Sequence, residues 1–121
     1  MNVTHPEMVS ALVKSGADIL TTLDPHKIDL LHMAVGIAGE AGEIIEAFER
    51  TKYHPLAHEN LIEELGDIEF YLEGFRQALG IDRGQTTDFI ADGIVNSALE
   101  ASSILAARTL SLLDLVKKVV I

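Results

Sequence analysis

Helical periodicity interrupted at three prolines is the feature that most constrains the fold of this chain. Pro6 and Pro25 lie just after residues that can cap a helix, Thr4 and Asp24, so both stand at predicted helix starts. Pro55 instead interrupts a helix-like pattern. Between these points apolar residues recur at helical spacing, and no stretch shows the sustained alternation typical of a half-buried strand. The sequence therefore predicts an all-α fold.

Four helices are predicted from these signals. They cover about residues 5–23, 25–53, 58–79 and 88–121. Gly80 ends the third as a C′ glycine, and Thr86 or Thr87 caps the fourth, which either runs straight to the C-terminus or bends near Ser102–Ser103. A chain of 121 residues is long enough for one domain, 1–121. We expect an antiparallel bundle of about four helices, completed by oligomerisation.

The charge and the absence of cysteine restrict the partners and the chemistry. The chain has 19 acidic residues against 9 Lys and Arg, a formal net charge of -10. Such a surface repels nucleic acids and anionic membranes. With no cysteine, disulfides, thiolate metal sites and thiol catalysis are excluded. No segment has about 18 apolar residues without charge, and residues 1–16 lack a signal-peptide core, so we expect a soluble, cytoplasmic protein.

The stretch at 36–48, GIAGEAGEIIEAF, places two acidic residues among three glycines. Each glycine costs a helix interior about 1 kcal/mol relative to alanine. Glu40 and Glu43 are three residues apart, so both point off one helix face. Without side chains at positions 36, 39 and 42, a neighbouring helix or a bound ligand can approach the backbone closely.

The third predicted helix carries a second acidic pair, Glu64 and Asp67, within EELGD. Two antiparallel helices would set this pair opposite Glu40 and Glu43. Ionised carboxylates a few Å apart repel strongly when partly buried, and a hard divalent cation resolves that repulsion. Oxygen-only ligands suit Mg²⁺ or Mn²⁺. Acidic residues on ordinary solvated helix faces are the alternative interpretation.

The segments GIAGEAGEIIEAF and NLIEELGDIEFYL together resemble the MazG-like all-α nucleoside triphosphate pyrophosphohydrolases, whose signature is ExxE, a spacer and then ExxD. The match covers roughly residues 30–79. The resemblance implies hydrolysis of a (deoxy)nucleoside triphosphate to the monophosphate and pyrophosphate, with nucleotide-pool housekeeping as one role. It implies that Tyr71, one turn after the ExxD aspartate, contacts phosphate, and that the protein forms a homodimer or homotetramer. It also implies a set of Mg²⁺ ligands: Glu40, Glu43, Glu64 and Asp67.

Other residues have candidate roles in such a reaction. A carboxylate that takes the proton of the attacking water is needed, and Glu43 and Glu46 are both candidates. His32 either lines the same groove or is a partly buried helix histidine. Three basic residues lie close enough in sequence to bind phosphate, with a plain surface role as the alternative: Arg50, Lys52 and Arg76.

The C-terminal part departs from the family pattern. Residues 43–50, EIIEAFER, align with residues 111–118, SLLDLVKK. Either 88–121 is a degenerate half-repeat, in which Arg108 and Ser111 replace the first acidic pair, or two amphipathic helices look alike by chance. This departure leaves an alternative to the enzyme: a non-catalytic helical oligomerisation or regulatory module on the same scaffold.

Overall fold

A computed structural model of the chain describes residues 2–51, 57–81 and 98–121. The regular elements in these ranges are all helices, so the predicted all-α class is confirmed. They are α1 (His5–Leu12), α2 (Gly16–Thr22), α3 (Pro25–Thr51), α4 (Ala57–Leu79) and α5 (Ala98–Val120). No helix of the described ranges is both long enough and apolar enough to cross a membrane.

The prediction of one continuous first helix is wrong, because the chain breaks into α1 and α2. Val13 leaves α1 in an extended conformation, and Ser15 begins α2 as its N-cap. The backbone N–H of Asp18 donates to the Ser15 hydroxyl at 3.0 Å. A serine that bonds to the backbone competes with helix continuation, and the glycine that follows weakens it further.

The predicted start of α3 and the predicted end of α4 are confirmed, whereas the predicted end of α3 near residue 53 lies outside the described residues. The Lys27 N–H donates to Asp24 Oδ1 at 2.9 Å, which caps the start of α3. Gly80 follows α4 with a φ of 67°, a left-handed conformation that favours glycine. The Ile81 N–H then donates to the carbonyl of Arg76 at 2.9 Å, so the last turn of α4 closes as a Schellman motif.

The fourth predicted helix corresponds to α5, which passes residues 102–103 without interruption and ends at Val120. The predicted caps Thr86 and Thr87 and the start near residue 88 lie outside the described residues. The half-repeat at 88–121 stays a prediction for the same reason. In that half-repeat, Arg108 and Ser111 would correspond to Glu40 and Glu43, and both are exposed on α5.

α3 is the central helix of the described structure, because it packs against both α4 and α5. Its buried residues are spaced three or four apart and so share one face: Leu30, Ala34, Ile37, Ala41, Ile44 and Ala47. Val116 and Val120 of α5 join the first part of this stripe, and Ile68 of α4 joins the second. α1 and α2 bury no residue, so the core consists of the three long helices.

Two close contacts fix how α3 and α4 run past each other. The Tyr71 ring lies against Gly36, and the Met33 thioether lies against Gly74. Moving three residues forward on α3 therefore moves three residues back on α4, which is an antiparallel register. The same register, continued toward the C-terminal end of α3, places Glu43 opposite Glu64 of α4.

Candidate metal centre

Three carboxylates from two helices converge at the middle of the α3–α4 pair. Glu40 and Glu43 extend from one face of α3, and Glu64 meets them from α4. One oxygen from each lies within 4.8 Å of the other two. The i, i+3 spacing brings the first two together, and the antiparallel register brings the third. Such a group of oxygen donors can hold a hard divalent cation.

Asp67, the fourth predicted ligand, stands at the edge of this group. It is exposed, and no oxygen of Asp67 lies within the three-carboxylate cluster. Its negative charge nevertheless contributes to the raised pKa of Glu40. Asp67 is therefore close enough to Glu40 to act on the cluster electrostatically, and its role as a direct ligand stays a prediction.

Two of the three carboxyl groups of the cluster, those of Glu40 and Glu64, hold protons more tightly than isolated glutamates do. Burial is the largest cause of the raised pKa of Glu64, which rises to about 7, and hydrogen bonding and repulsion by Glu43 and Glu40 add to it. The pKa of Glu40 is also raised, first by burial and then by the charges of Glu43 and Asp67. Each cause disfavours a second and third negative charge in the same shielded space.

Two oxygens of the cluster are left without partners. Oε2 of Glu40 and Oε2 of Glu64 are both shielded from solvent, and neither has a hydrogen-bond partner. A proton on Glu64 relieves part of the repulsion within the group. Unpartnered polar atoms of this kind are destabilising, and they are uncommon outside functional sites. A cation between α3 and α4 would satisfy both oxygens, so the donor set fits Mg²⁺ or Mn²⁺.

Aromatic rings lie at one end of the cluster, one turn of α4 beyond Asp67. The Tyr71 ring is half-buried between exposed His32 and exposed Phe70. Its centroid is 6.2 Å from that of His32 and 5.3 Å from that of Phe70, with edge-to-face geometry in both pairs. The interpretation of His32 as a partly buried histidine is therefore wrong, and its ring is free to meet a ligand from solvent.

The remaining predicted residues stand apart from the cluster. Glu46 Oε2 and Arg50 Nη2 form an exposed ion pair at 3.4 Å. Arg76, only 15% exposed, pairs with Glu73 at 2.9 Å and with Glu69 at 3.4 Å. Lys52 lies outside the described residues. A role of Glu46 as general base and of the basic residues in phosphate binding stays a prediction.

The glycines of α3 differ in what surrounds them. A Cβ on Gly36 would lie less than 3 Å from three carbons of the Tyr71 ring. Apart from its chain neighbours and the backbone of its own helix, no described atom lies within 4 Å of a Cβ on Gly39 or Gly42. The predicted close approach of a neighbouring helix therefore holds for Gly36, and the other two glycines face open space. The matching contact of Gly74 was not predicted, although a glycine inside a helix is the signal that marks it.

Similarity to known proteins gives no independent assignment of this cluster. No protein-family model, curated protein or solved structure matches the chain.

Proposed function

We propose that this protein hydrolyses a (deoxy)nucleoside triphosphate to the monophosphate and pyrophosphate, with Mg²⁺, on a MazG-like helical scaffold. The observation that carries the proposal is the cluster of Glu40, Glu43 and Glu64, with oxygens within 4.8 Å of one another. The two shielded, unpartnered oxygens in it support a bound cation. Mg²⁺ prefers a few carboxylates together with water and substrate phosphates, and exposed Glu43 connects the shielded oxygens of the cluster to the solvent.

When bound, the cation supplies the positive charge that offsets phosphate oxygens and makes water more acidic. The chain itself holds that charge in place through the three converging carboxylates, with Asp67 reinforcing the negative potential at Glu40. A net charge of -10 otherwise repels a triphosphate, so cation binding is also what admits the substrate.

We assign the proton transfer from water to Glu43, with Glu46 as the alternative. Glu43 belongs to the cluster and is exposed, so it reaches both the cation site and the solvent. Glu46 lies outside the cluster and is paired with Arg50. A general base must lie within hydrogen-bonding reach of the water it activates, which favours Glu43.

The substrate is proposed to extend from the cluster toward the aromatic rings. Tyr71 and His32 are the candidate contacts there, since Tyr71 lies about one helical turn from Asp67 and His32 lies about two turns from Glu40. Arg50 and Lys52 follow Glu43 in the sequence and are the candidate partners for phosphate oxygens.

The protein is proposed to act as a homodimer or homotetramer. Support comes from large apolar side chains that the described residues leave exposed, among them Met8, Val9 and Leu12 of α1. A second copy of the chain that covered such side chains would remove their apolar surface from water, which favours association.

The test is product analysis with purified protein, a panel of NTPs and dNTPs, and millimolar MgCl₂. We expect equimolar monophosphate and pyrophosphate, no product in EDTA, and a loss of at least about a hundredfold in Glu43→Gln. Asp114→Asn is the matched control, because it removes an exposed carboxylate of α5 and should keep the activity. A folded sample that binds Mg²⁺ but releases no pyrophosphate from any nucleotide would instead indicate the non-catalytic module.

A further inference from the structure

The contact between Gly36 and Tyr71 lies one helical turn from the carboxylate cluster. Gly36 precedes Glu40 by four residues on α3, and Tyr71 follows Asp67 by four residues on α4. The ring sits directly on the glycine backbone, where a Cβ would lie less than 3 Å from its carbons. The Tyr71 ring therefore fills the space next to the α3 backbone that a side chain at position 36 would otherwise occupy.

A second contact of the same kind lies one turn further from the cluster. The Met33 sulfur occupies the space that a Cβ on Gly74 would need. A methionine side chain is flexible and can move aside, whereas a ring held between His32 and Phe70 has fewer alternatives. Of these two contacts, the one made by the ring is therefore the less adaptable.

We propose that the Tyr71 ring, seated on Gly36, is the spacer that fixes the distance between α3 and α4 and thereby the size of cation that the carboxylates accept. In this assignment Gly36 and Tyr71 are positioning residues and not ligands. The inference rests on the cation site proposed above, because it describes how that site selects among divalent ions.

The magnitudes support a role in selection by size. A methyl group on Gly36 must move from less than 3 Å to an ordinary contact of 3.4–4 Å, so the ring and its helix shift by roughly 1 Å. Mg²⁺ binds oxygen at about 2.0–2.1 Å with little tolerance, and Ca²⁺ binds it at about 2.3–2.6 Å with flexible geometry. A displacement of this size, one turn away on stiff helices, is larger than the difference between the two ions.

The experiment compares the dissociation constants of MgCl₂ and CaCl₂ by titration calorimetry, without nucleotide. For Gly36→Ala we expect the Kd of Mg²⁺ to rise about tenfold or more and that of Ca²⁺ to change less than about threefold. Gly39→Ala is the matched control, since it makes the same substitution on the same helix with no described atom of another helix within 4 Å. Its ratio of the two constants should stay within about twofold of that of the wild type.

Variants at position 71 distinguish the effect of the aromatic ring from that of the hydroxyl group. Tyr71→Phe keeps the ring and should keep the ratio of the Mg²⁺ and Ca²⁺ dissociation constants. Tyr71→Leu removes the ring and should change this ratio. In the double variant Gly36→Ala with Tyr71→Leu, the new methyl occupies space that the ring has left, so the ratio should return toward that of the wild type. If Gly36→Ala does not fold, comparing this double variant with Tyr71→Leu alone measures the same effect of the methyl.

The outcomes distinguish this inference from the proposed function. Equal changes in both constants for Gly36→Ala, or the same ratio as in Gly39→Ala, would overturn the spacer while leaving the cation site intact. A wild-type protein that binds neither ion would overturn the cation site and the spacer with it. A ratio that moves with Gly36→Ala and returns in the double variant would establish the spacer.

Discussion

The affinity for Mg²⁺ should depend on pH through Glu64. The pKa of this carboxyl is raised to about 7 by burial and by its neighbours Glu43 and Glu40. A proton on Glu64 and a cation in the cluster compete for the same oxygens, because metal binding requires the deprotonated carboxylate. Lowering the pH from 8 to 6 is therefore expected to weaken Mg²⁺ binding, although an ordinary glutamate is fully ionised throughout this range.

The magnitude follows from the titration of one group with a pKa of about 7. Glu64 is then about one-tenth protonated at pH 8, half protonated at pH 7 and about nine-tenths protonated at pH 6. The apparent Kd of Mg²⁺ should rise about tenfold from pH 8 to pH 6. Each bound cation should release about 0.1, 0.5 and 0.9 protons at these three pH values. The raised pKa of Glu40 acts in the same direction.

The assay is titration calorimetry in two buffers of different ionisation enthalpy, which gives the affinity and the number of protons released. Asp114→Asn is the control for general charge effects, since this residue is an exposed partner of Lys118 on α5, and its pH profile should match that of the wild type. An affinity that is constant between pH 6 and 8, with no proton release at pH 6, would refute a cation bound by Glu64.

Three further predictions concern stability. Without divalent cations, the folded protein retains a proton on Glu64 that the unfolded chain loses above about pH 4.5, so this contribution to stability is complete below pH 4.5 and is lost as pH rises through about 7. In EDTA, the melting temperature of the wild type should therefore decrease as the pH rises from 5 to 8, and that of Glu64→Gln should decrease less. Equal decreases in the two proteins would contradict this. MgCl₂ at 100 times its Kd should stabilise the folded state by about 2.7 kcal/mol and raise the melting temperature by roughly 10 °C at pH 8. Glu43→Gln should lose most of this shift, and an unchanged melt of the wild type would exclude a preformed site. Ile37→Ala, at a side chain only 1% exposed, should lower the free energy of unfolding by about 2–5 kcal/mol in urea titrations. Exposed Val35→Ala is its control and should change it by no more than about 0.5 kcal/mol; similar losses in both would contradict the assigned core.

The parts of the fold that the sequence predicts correctly are those set by local chemistry. The start of α3 follows from a capping aspartate before Pro25, and the end of α4 follows from a glycine that can adopt a positive φ. The first helix was predicted too long because its apolar periodicity continues past Ser15. Neither α1 nor α2 buries a residue. The apolar residues of this segment therefore make no buried contacts that would hold it as one continuous helix across Ser15.

The candidate site is predictable in part for a similar reason. Spacing within one helix brings Glu40 and Glu43 together, and the short separation of the two motifs makes α4 an antiparallel neighbour. The remaining details depend on register and on side-chain packing, which periodicity does not specify. They include the position of Asp67 at the edge of the cluster and the pairing of Glu46 with an arginine instead of with the cluster.

The placement of the carboxylates also explains how a fold tolerates them. Ile37, Ala41, Ile44 and Ile68 form one buried cluster along the same stretch of α3 and α4 that carries the acidic residues. Fully burying an isoleucine side chain contributes roughly 1.5–3 kcal/mol, so this apolar contact can hold together helices whose carboxylates repel. The same contact keeps the helices from separating to relieve that repulsion. What remains is to bind a proton or a cation, and the raised pKa of Glu64 shows the first of these two responses within the chain itself.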